Sequence, residues 1–201
     1  MTMIVLGSRS PSRLALLRRA GLNPVVEVSD IDESAITGET TAELTGRLAI
    51  AKASTVAARF DRGIVIGCDS MLELDGMAYG KPKSASSAIE LWRQLAGRRG
   101  LFHTGHCLID AASGRTATAH CVTTVGFATP SEAEIAGYVA TGEPLEVAGG
   151  FKIDHRGGWF VERIEGEPSN LQGLSLPLLR RLLSEFGVPL TLAWAQSPAA
   201  V

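Results

Sequence analysis

The chain has 201 residues, is 45% hydrophobic and 20% charged, and carries a formal net charge of −2. That is enough apolar material for one large domain or two small lobes with a true core. It excludes the basic footprint that bulk nucleic acid or an anionic membrane surface would require.

The N-terminal apolar segment has no charged region before it and is too short for a signal peptide, and nothing approaches the length of a membrane span. Cys68, Cys107 and Cys121 are odd in number, lack CxxC spacing and have strand-like neighbours. They read as buried free thiols in a reducing cytoplasm. Met3 to Leu6 is a predicted buried strand and Leu14 to Ala20 a predicted helix stopped by Gly21. Ser10 suits the N-cap and Pro11 the first helical position. The loop from Gly7 to Arg13 therefore ends on a helix N-terminus, where free N–H groups and the helix dipole favour an anion. Two hydroxyls, Ser8 and Ser10, and two guanidiniums, Arg9 and Arg13, join them. Arg13 falls on the first turn, where a cation is unfavourable without an anion nearby, so the loop reads as a phosphate cradle. A capped helix with surface arginines is the plainer alternative.

Pro24 to Val28 reads as a second strand. It runs into Asp30, Asp32 and Glu33, three carboxylates within four residues. Such a cluster repels itself unless it is solvated or bridged by a cation, and its oxygens suit Mg²⁺; an ordinary acidic turn is the other reading. Thr40 and Glu43 form a capping box for a helix from Glu43 to Phe60. Leu44, Leu48, Ala51, Val56 and Ala57 line one side of it. Lys52 sits at the edge of that stripe, placed to snorkel or to reach the cradle as a phosphate-binding charge.

Gly63 to Cys68 is the clearest buried strand, with Asp69 and Ser70 at its C-terminal end, where open α/β sheets carry their chemistry. Met71 to Leu74 continues extended, Asp75-Gly76 predicts a hairpin turn, and the return arm delivers Gly80-Lys81-Pro82. Ser87 with Glu90 predicts a second capping box and a helix to about Ala96. Gly100 to Asp110 and Arg115 to Ala128 read as an antiparallel hairpin. His103 and His106, three apart on a strand, point to opposite faces, which argues against a zinc site. Thr129 to Glu132 predicts a third capping box, with Pro130 first in a helix ending at Gly142. Ala148 to Phe151 is a glycine turn into a strand containing Asp154, and a further strand runs from Trp159 to Ile164. A polar loop from Ser169 to Leu174 leads to an amphipathic helix, Leu176 to Phe186, closed by Gly187. The tail after about residue 190 is expected to fray.

Taken in order, these pieces resemble the Maf family of nucleoside triphosphate pyrophosphatases. The matching stretches are Leu6 to Arg13, Asp30 to Glu33, Leu48 to Ala53, Gly67 to Ser70, Gly80 to Pro82, Thr104-Gly105, Ala148 to Phe151 and Asn170 to Leu174. They run from residue 4 to about 186. The resemblance implies an α/β, inosine-triphosphatase-like (Maf/Ham1) fold: an elongated mixed sheet flanked by helices, one domain over 1–201 with a cleft between two lobes, forming a homodimer. It implies hydrolysis of a nucleoside triphosphate, canonical or modified, to the monophosphate and pyrophosphate with a divalent cation, Mg²⁺ or Mn²⁺. A link to arrest of septum formation goes with the family, so a non-catalytic nucleotide-sensing regulator is the alternative. By position, Asp69 is the implied general base, and Glu33 and Asp69 hold metal and water. Ser8, Ser10, Arg13, Lys52 and Lys81 hold the triphosphate. Base choice maps to Ser12, Ser70 and Asp154. Members selective for thymidine and uridine triphosphates have Arg, Thr and Gln there, and the 7-methylguanosine branch has Trp, Gln and Glu. This chain matches neither set.

Overall fold

A computed structural model describes residues 2–194. Among these, seven strands form one mixed sheet in the order β2-β1-β3-β5-β6-β7, with β4 paired to β3. The strands are β1 (Ile4–Leu6), β2 (Val25–Val26), β3 (Ile64–Leu74), β4 (Met77–Tyr79), β5 (Arg99–Asp110), β6 (Thr116–Phe127) and β7 (Val161–Glu165). The helices are α1 (Pro11–Arg19), α2 (Thr41–Ala57), α3 (Ala85–Leu95), α4 (Glu132–Ala140), α5 (Leu176–Glu185) and α6 (Leu190–Trp194). No helix among the described residues is long and apolar enough to cross a membrane. The chain divides into two compact units; three of the divisions fall inside β3, β5 and β6, and the fourth lies between Gln172 and Gly173.

The first unit comprises residues 1–69, 104–121 and 173–201. Its β1 runs parallel to both β2 and β3, with Val5 opposite Val25 on one side and Val65 on the other. Side chains alternate across this sheet, and the core divides accordingly. Ile4, Leu6, Ile64, Ile66, Cys68 and Leu108 pack with Leu16 and Leu17 of α1 and Leu178, Leu179, Leu182 and Leu183 of α5. Val5, Val65, Cys107 and Ile109 face the other way, onto Ala49, Ala53 and Val56 of α2. Strands buried on both faces read as unbroken apolar runs, which is why Gly63 to Cys68 shows no alternation.

The second unit, residues 70–103 and 122–172, is built on aromatics. Trp92 of α3 meets Phe127, Tyr138 and Phe160 with centroids 5.4–5.8 Å away, and its Nε1 donates to the Gly150 carbonyl at 2.9 Å. The expected Asp75-Gly76 hairpin is present between β3 and β4.

Several local expectations need correcting. Thr40 caps α2, but the Glu43 carboxylate accepts from the Glu39 N–H, so that box is only half formed. In α3 the cap is Ser84, in a reciprocal box with Ser87, one turn ahead of the Ser87–Glu90 pair. In α4 the box is Ser131 with Glu134, and Pro130 stands outside the helix. Asp154 lies in a turn, not a strand. There the Glu143 carboxylate accepts the Arg156 and Gly157 N–H groups and draws the chain into a short 3₁₀ segment, Arg156–Phe160. Leu190–Trp194 is helical, with Trp194 Nε1 donating to the Ala20 carbonyl, so fraying does not begin at residue 190. The tail beyond 194 lies outside the described residues. Cys68 and Cys107 are buried free thiols, whereas Cys121 is half-buried.

Candidate active site

Two glycines in the first unit seat α2 directly on the sheet. A Cβ at Gly67 would lie 2.4 Å from the Ala49 carbonyl oxygen and 2.7 Å from the Ala53 nitrogen. A Cβ at Gly105 would lie 2.4 Å from the Thr45 carbonyl oxygen. Asp69 is two residues beyond Gly67 and so shares its face of β3. Lys52 of α2 comes down beside it, with Nζ 2.5 Å from Asp69 Oδ1 and 2.7 Å from Glu33 Oε1. Lys52 is 9% exposed and Asp69 6%. The lysine is thus buried and doubly paired, not a snorkelling side chain at the edge of a stripe. Glu33 reaches in from the short 3₁₀ turn Glu33–Ala35, with 55% of its side chain exposed.

Asp69 does not end its strand. Register with β1 stops at Ile66 and register with β4 starts at Leu72, so the carboxylate stands in the interval between them. This is the C-terminal end of the parallel pairing, though not of the strand. Burial pushes the Asp69 carboxyl above its ordinary range, Lys52 and Arg13 pull it back, and Glu33 adds to the rise. Asp69 Oδ2 is buried with no hydrogen-bond partner among the described residues.

The loop before α1 forms the expected cap. Ser10 Oγ accepts the Arg13 N–H at 3.3 Å, and Pro11 opens the helix. Ser8 Oγ accepts both the Ser10 N–H and Arg13 Nη1, each at 3.1 Å. Arg13 is 8% exposed, and its Nε donates to the Gly173 carbonyl at 2.7 Å. A cation is therefore held at a helix N-terminus by a hydroxyl and a carbonyl oxygen, in a field that disfavours it unless an anion arrives. Arg9 leaves the cradle and pairs with Asp30 at the surface. Asp32 accepts the N–H and hydroxyl of Ser34. Of the three clustered carboxylates, only Glu33 joins Lys52.

The structure so gathers Ser8, Ser10 and Arg13 in one group and Lys52, Asp69 and Glu33 in another. Ser12 is half-buried on α1. Lys81, Ser70 and Asp154 belong to the second unit. There Lys81 is exposed just after β4, Ser70 is buried on β3, and the Asp154 carboxylate lies 3.0 Å from His155 Nδ1. Gly173 and His106 are the supporting residues that sequence reasoning missed. Gly173 stands inside a quoted motif, but its carbonyl's partner is 160 positions away. His106 carries no local signal for what it does.

Residues 3–186 match the Maf-like protein family. A nucleoside triphosphate pyrophosphatase of Streptomyces coelicolor is 53% identical over 96% of this chain and 94% of its own length. The chain belongs to the Maf-like family. Another Maf-like relative, a nucleoside triphosphate pyrophosphatase of Salinispora tropica, is 52% identical over 96% of this chain and 88% of its own length. Among solved structures, a HAM1 protein from Coxiella burnetii superposes with a TM-score of 0.53 at 20% identity, covering 92% of this chain and all of that one. That likeness shows the fold: the Maf-like chain has the Ham1-type α/β architecture expected from its sequence.

Proposed function

We propose that this chain is a nucleoside triphosphate pyrophosphatase, hydrolysing a nucleoside triphosphate between its α and β phosphates to the monophosphate and pyrophosphate. The observation that carries the reading is the Lys52–Asp69–Glu33 cluster, with Arg13 in electrostatic reach of Asp69. The names of the Maf-like relatives support it.

The residues fit a divalent cation of the Mg²⁺ or Mn²⁺ type. Such ions are bound through one or two carboxylates plus substrate phosphates, and Asp69 Oδ2 is a buried carboxylate oxygen with no hydrogen-bond partner among the described residues. Among the described residues, no group of three or more His, Cys, Asp and Glu side chains could hold an ion without substrate. Held by Glu33 and Asp69, the cation would offset triphosphate charge and acidify a water. Asp69 takes the proton of the attacking water, the role its raised carboxyl suits. Arg13, fixed by Ser8 and Gly173, and Lys52 neutralise charge developing on the departing pyrophosphate. The exposed Lys81 is assigned a further phosphate contact, and Ser12, Ser70 and Asp154 the choice of base, by family position. The reading carries with it a cytoplasmic homodimer. A regulator without chemistry leaves Asp69 Oδ2 unexplained: Lys52 already offsets both carboxylates, yet this second buried oxygen has no hydrogen-bond partner among the described residues.

The test is a panel of normal and modified nucleoside triphosphates with Mg²⁺, assayed separately for pyrophosphate and orthophosphate. Pyrophosphate release that stops with excess chelator is expected. Orthophosphate as the sole product, or turnover indifferent to chelator, overturns the reading.

A further inference from the structure

His106 lies on β5, on the sheet face that packs against α1 and α5, since its neighbour Leu108 belongs to that core and Cys107 to the opposite one. It is 1% exposed. Both ring nitrogens are engaged. Nδ1 lies 3.2 Å from the Thr104 carbonyl oxygen, and Nε2 accepts the Ser175 backbone N–H at 2.9 Å. A carbonyl only accepts, so Nδ1 carries the proton and Nε2 presents its lone pair to Ser175. Ser175 is the N-cap of α5. Two residues before it, the Gly173 carbonyl receives Arg13 Nε at 2.7 Å. Gly173 has φ +89°, and a Cβ there would stand 2.9 Å from Arg13 Nε, so this short segment fits closely against the guanidinium.

We infer that His106 is a positioning residue for the phosphate cradle. By accepting the Ser175 N–H it fixes the Gly173–Ser175 segment, whose carbonyl at 173 orients Arg13 toward the triphosphate. The inference rests on the assignment of Arg13 to phosphate made above and adds a residue that touches no substrate. A guanidinium is rigid and planar, so fixing Nε and one Nη1 hydrogen bond sets the plane of the whole group. Without the imidazole acceptor, the Ser175 N–H is buried unpaired or the segment shifts to find another partner. Either outcome moves the Gly173 carbonyl, and Arg13 with it.

The probe is inorganic tripolyphosphate, which presents the phosphate chain with no base, and its Kd is measured by calorimetry on the full chain. H106L removes the acceptor, while H106Q keeps one at a similar reach. H106L is expected to weaken tripolyphosphate about tenfold, and H106Q to stay within about twofold of the parent. In an R13A background, H106L should add less than about twofold, because the residue it positions is already gone. If H106L does not fold, H106M takes its place, Met being the more adaptable filler of an irregular gap. Parental affinity in the acceptor-less variant overturns the inference. So does an equal loss with and without Arg13, which is what a merely structural role predicts. Parental affinity in R13A overturns the assignment of Arg13 to phosphate and the inference with it, so the two failures are told apart.

Discussion

Lys52 of α2 and Asp69 of β3 form a buried ion pair, Nζ to Oδ1 2.5 Å, at the point where two glycines let the helix rest on the sheet. Burying both charges costs free energy that their attraction repays only in part, so such a pair is poor evidence of stabilisation. Its form fits a catalytic use better: one carboxylate oxygen is satisfied by the lysine and the other is left open. The same lysine also holds Glu33, so a single cation aligns both carboxylates assigned to metal and water.

Asp69→Asn should abolish turnover while nucleotide binding survives. Asn keeps the shape but lacks basicity and charge, so kcat should fall by about a hundredfold or more. A folded variant with kcat near the parent's would remove Asp69 from the mechanism and make Glu33 the candidate base. Measuring kcat, nucleotide affinity and melting temperature on one preparation separates this from a purely local structural role.

Lys52→Met should destabilise by about 3 kcal/mol, because it leaves the Asp69 carboxylate buried without its main partner. The double variant K52M/D69N should be more stable than K52M alone, since the uncompensated charge goes with the second change. Urea denaturation of the parent, both single variants and the double variant gives the coupling directly. Additive losses would mean that the pair is not energetically linked.

What the sequence disclosed of this arrangement was whatever is local. The Ser10 cap and Pro11 at the first helical position fold as read, though Arg9 of the same loop turns away to Asp30. The apolar run before Asp69 marked the buried strand but not its end, since β3 continues to Leu74. Long-range pairing was not legible. Asp30, Asp32 and Glu33 are equivalent as letters, yet Arg9, Ser34 and Lys52 draw them three ways. Where several small polar residues stand together, as at Ser84, Ser86 and Ser87, more than one can cap, and packing of Ala88, Leu91 and Trp92 chooses the phase of the helix. His106 meets its partner 69 positions away. On a strand, its spacing from His103 could say only which way it points.

Stability should depend on pH through His106. Burial, with Arg13 adding to it, pushes this imidazole down to about 3 from the usual 6.5. Below pH 6.5 the unfolded chain takes up a proton that the folded chain refuses, so the contribution is present above 6.5 and lost as pH falls toward 3. At pH 5 the loss from this group is about 2 kcal/mol. Unfolding free energies of the parent and H106L, measured by urea from pH 7 to pH 4.5, should differ in slope by up to one proton, the parent being steeper. Parallel curves would mean that His106 is not held neutral by the fold.

Gly173→Ala should affect both stability and phosphate binding, and a second glycine separates the two effects. At φ +89° an alanine is strained whatever the space, by about 1–2 kcal/mol. The added methyl would also stand 2.9 Å from Arg13 Nε, and the arginine is buried and tied to Ser8, so it cannot simply swing away. Gly187 has φ +72° with nothing within 4 Å of its absent Cβ, so G187A carries the backbone strain alone. G187A should lose the stability that backbone strain costs, and G173A at least as much, in urea. Only G173A should lose affinity for inorganic tripolyphosphate, because only there does the methyl displace the guanidinium. Equal affinities for the two variants would show that the cradle tolerates movement of Arg13, and its fixed orientation would then carry no part of phosphate recognition.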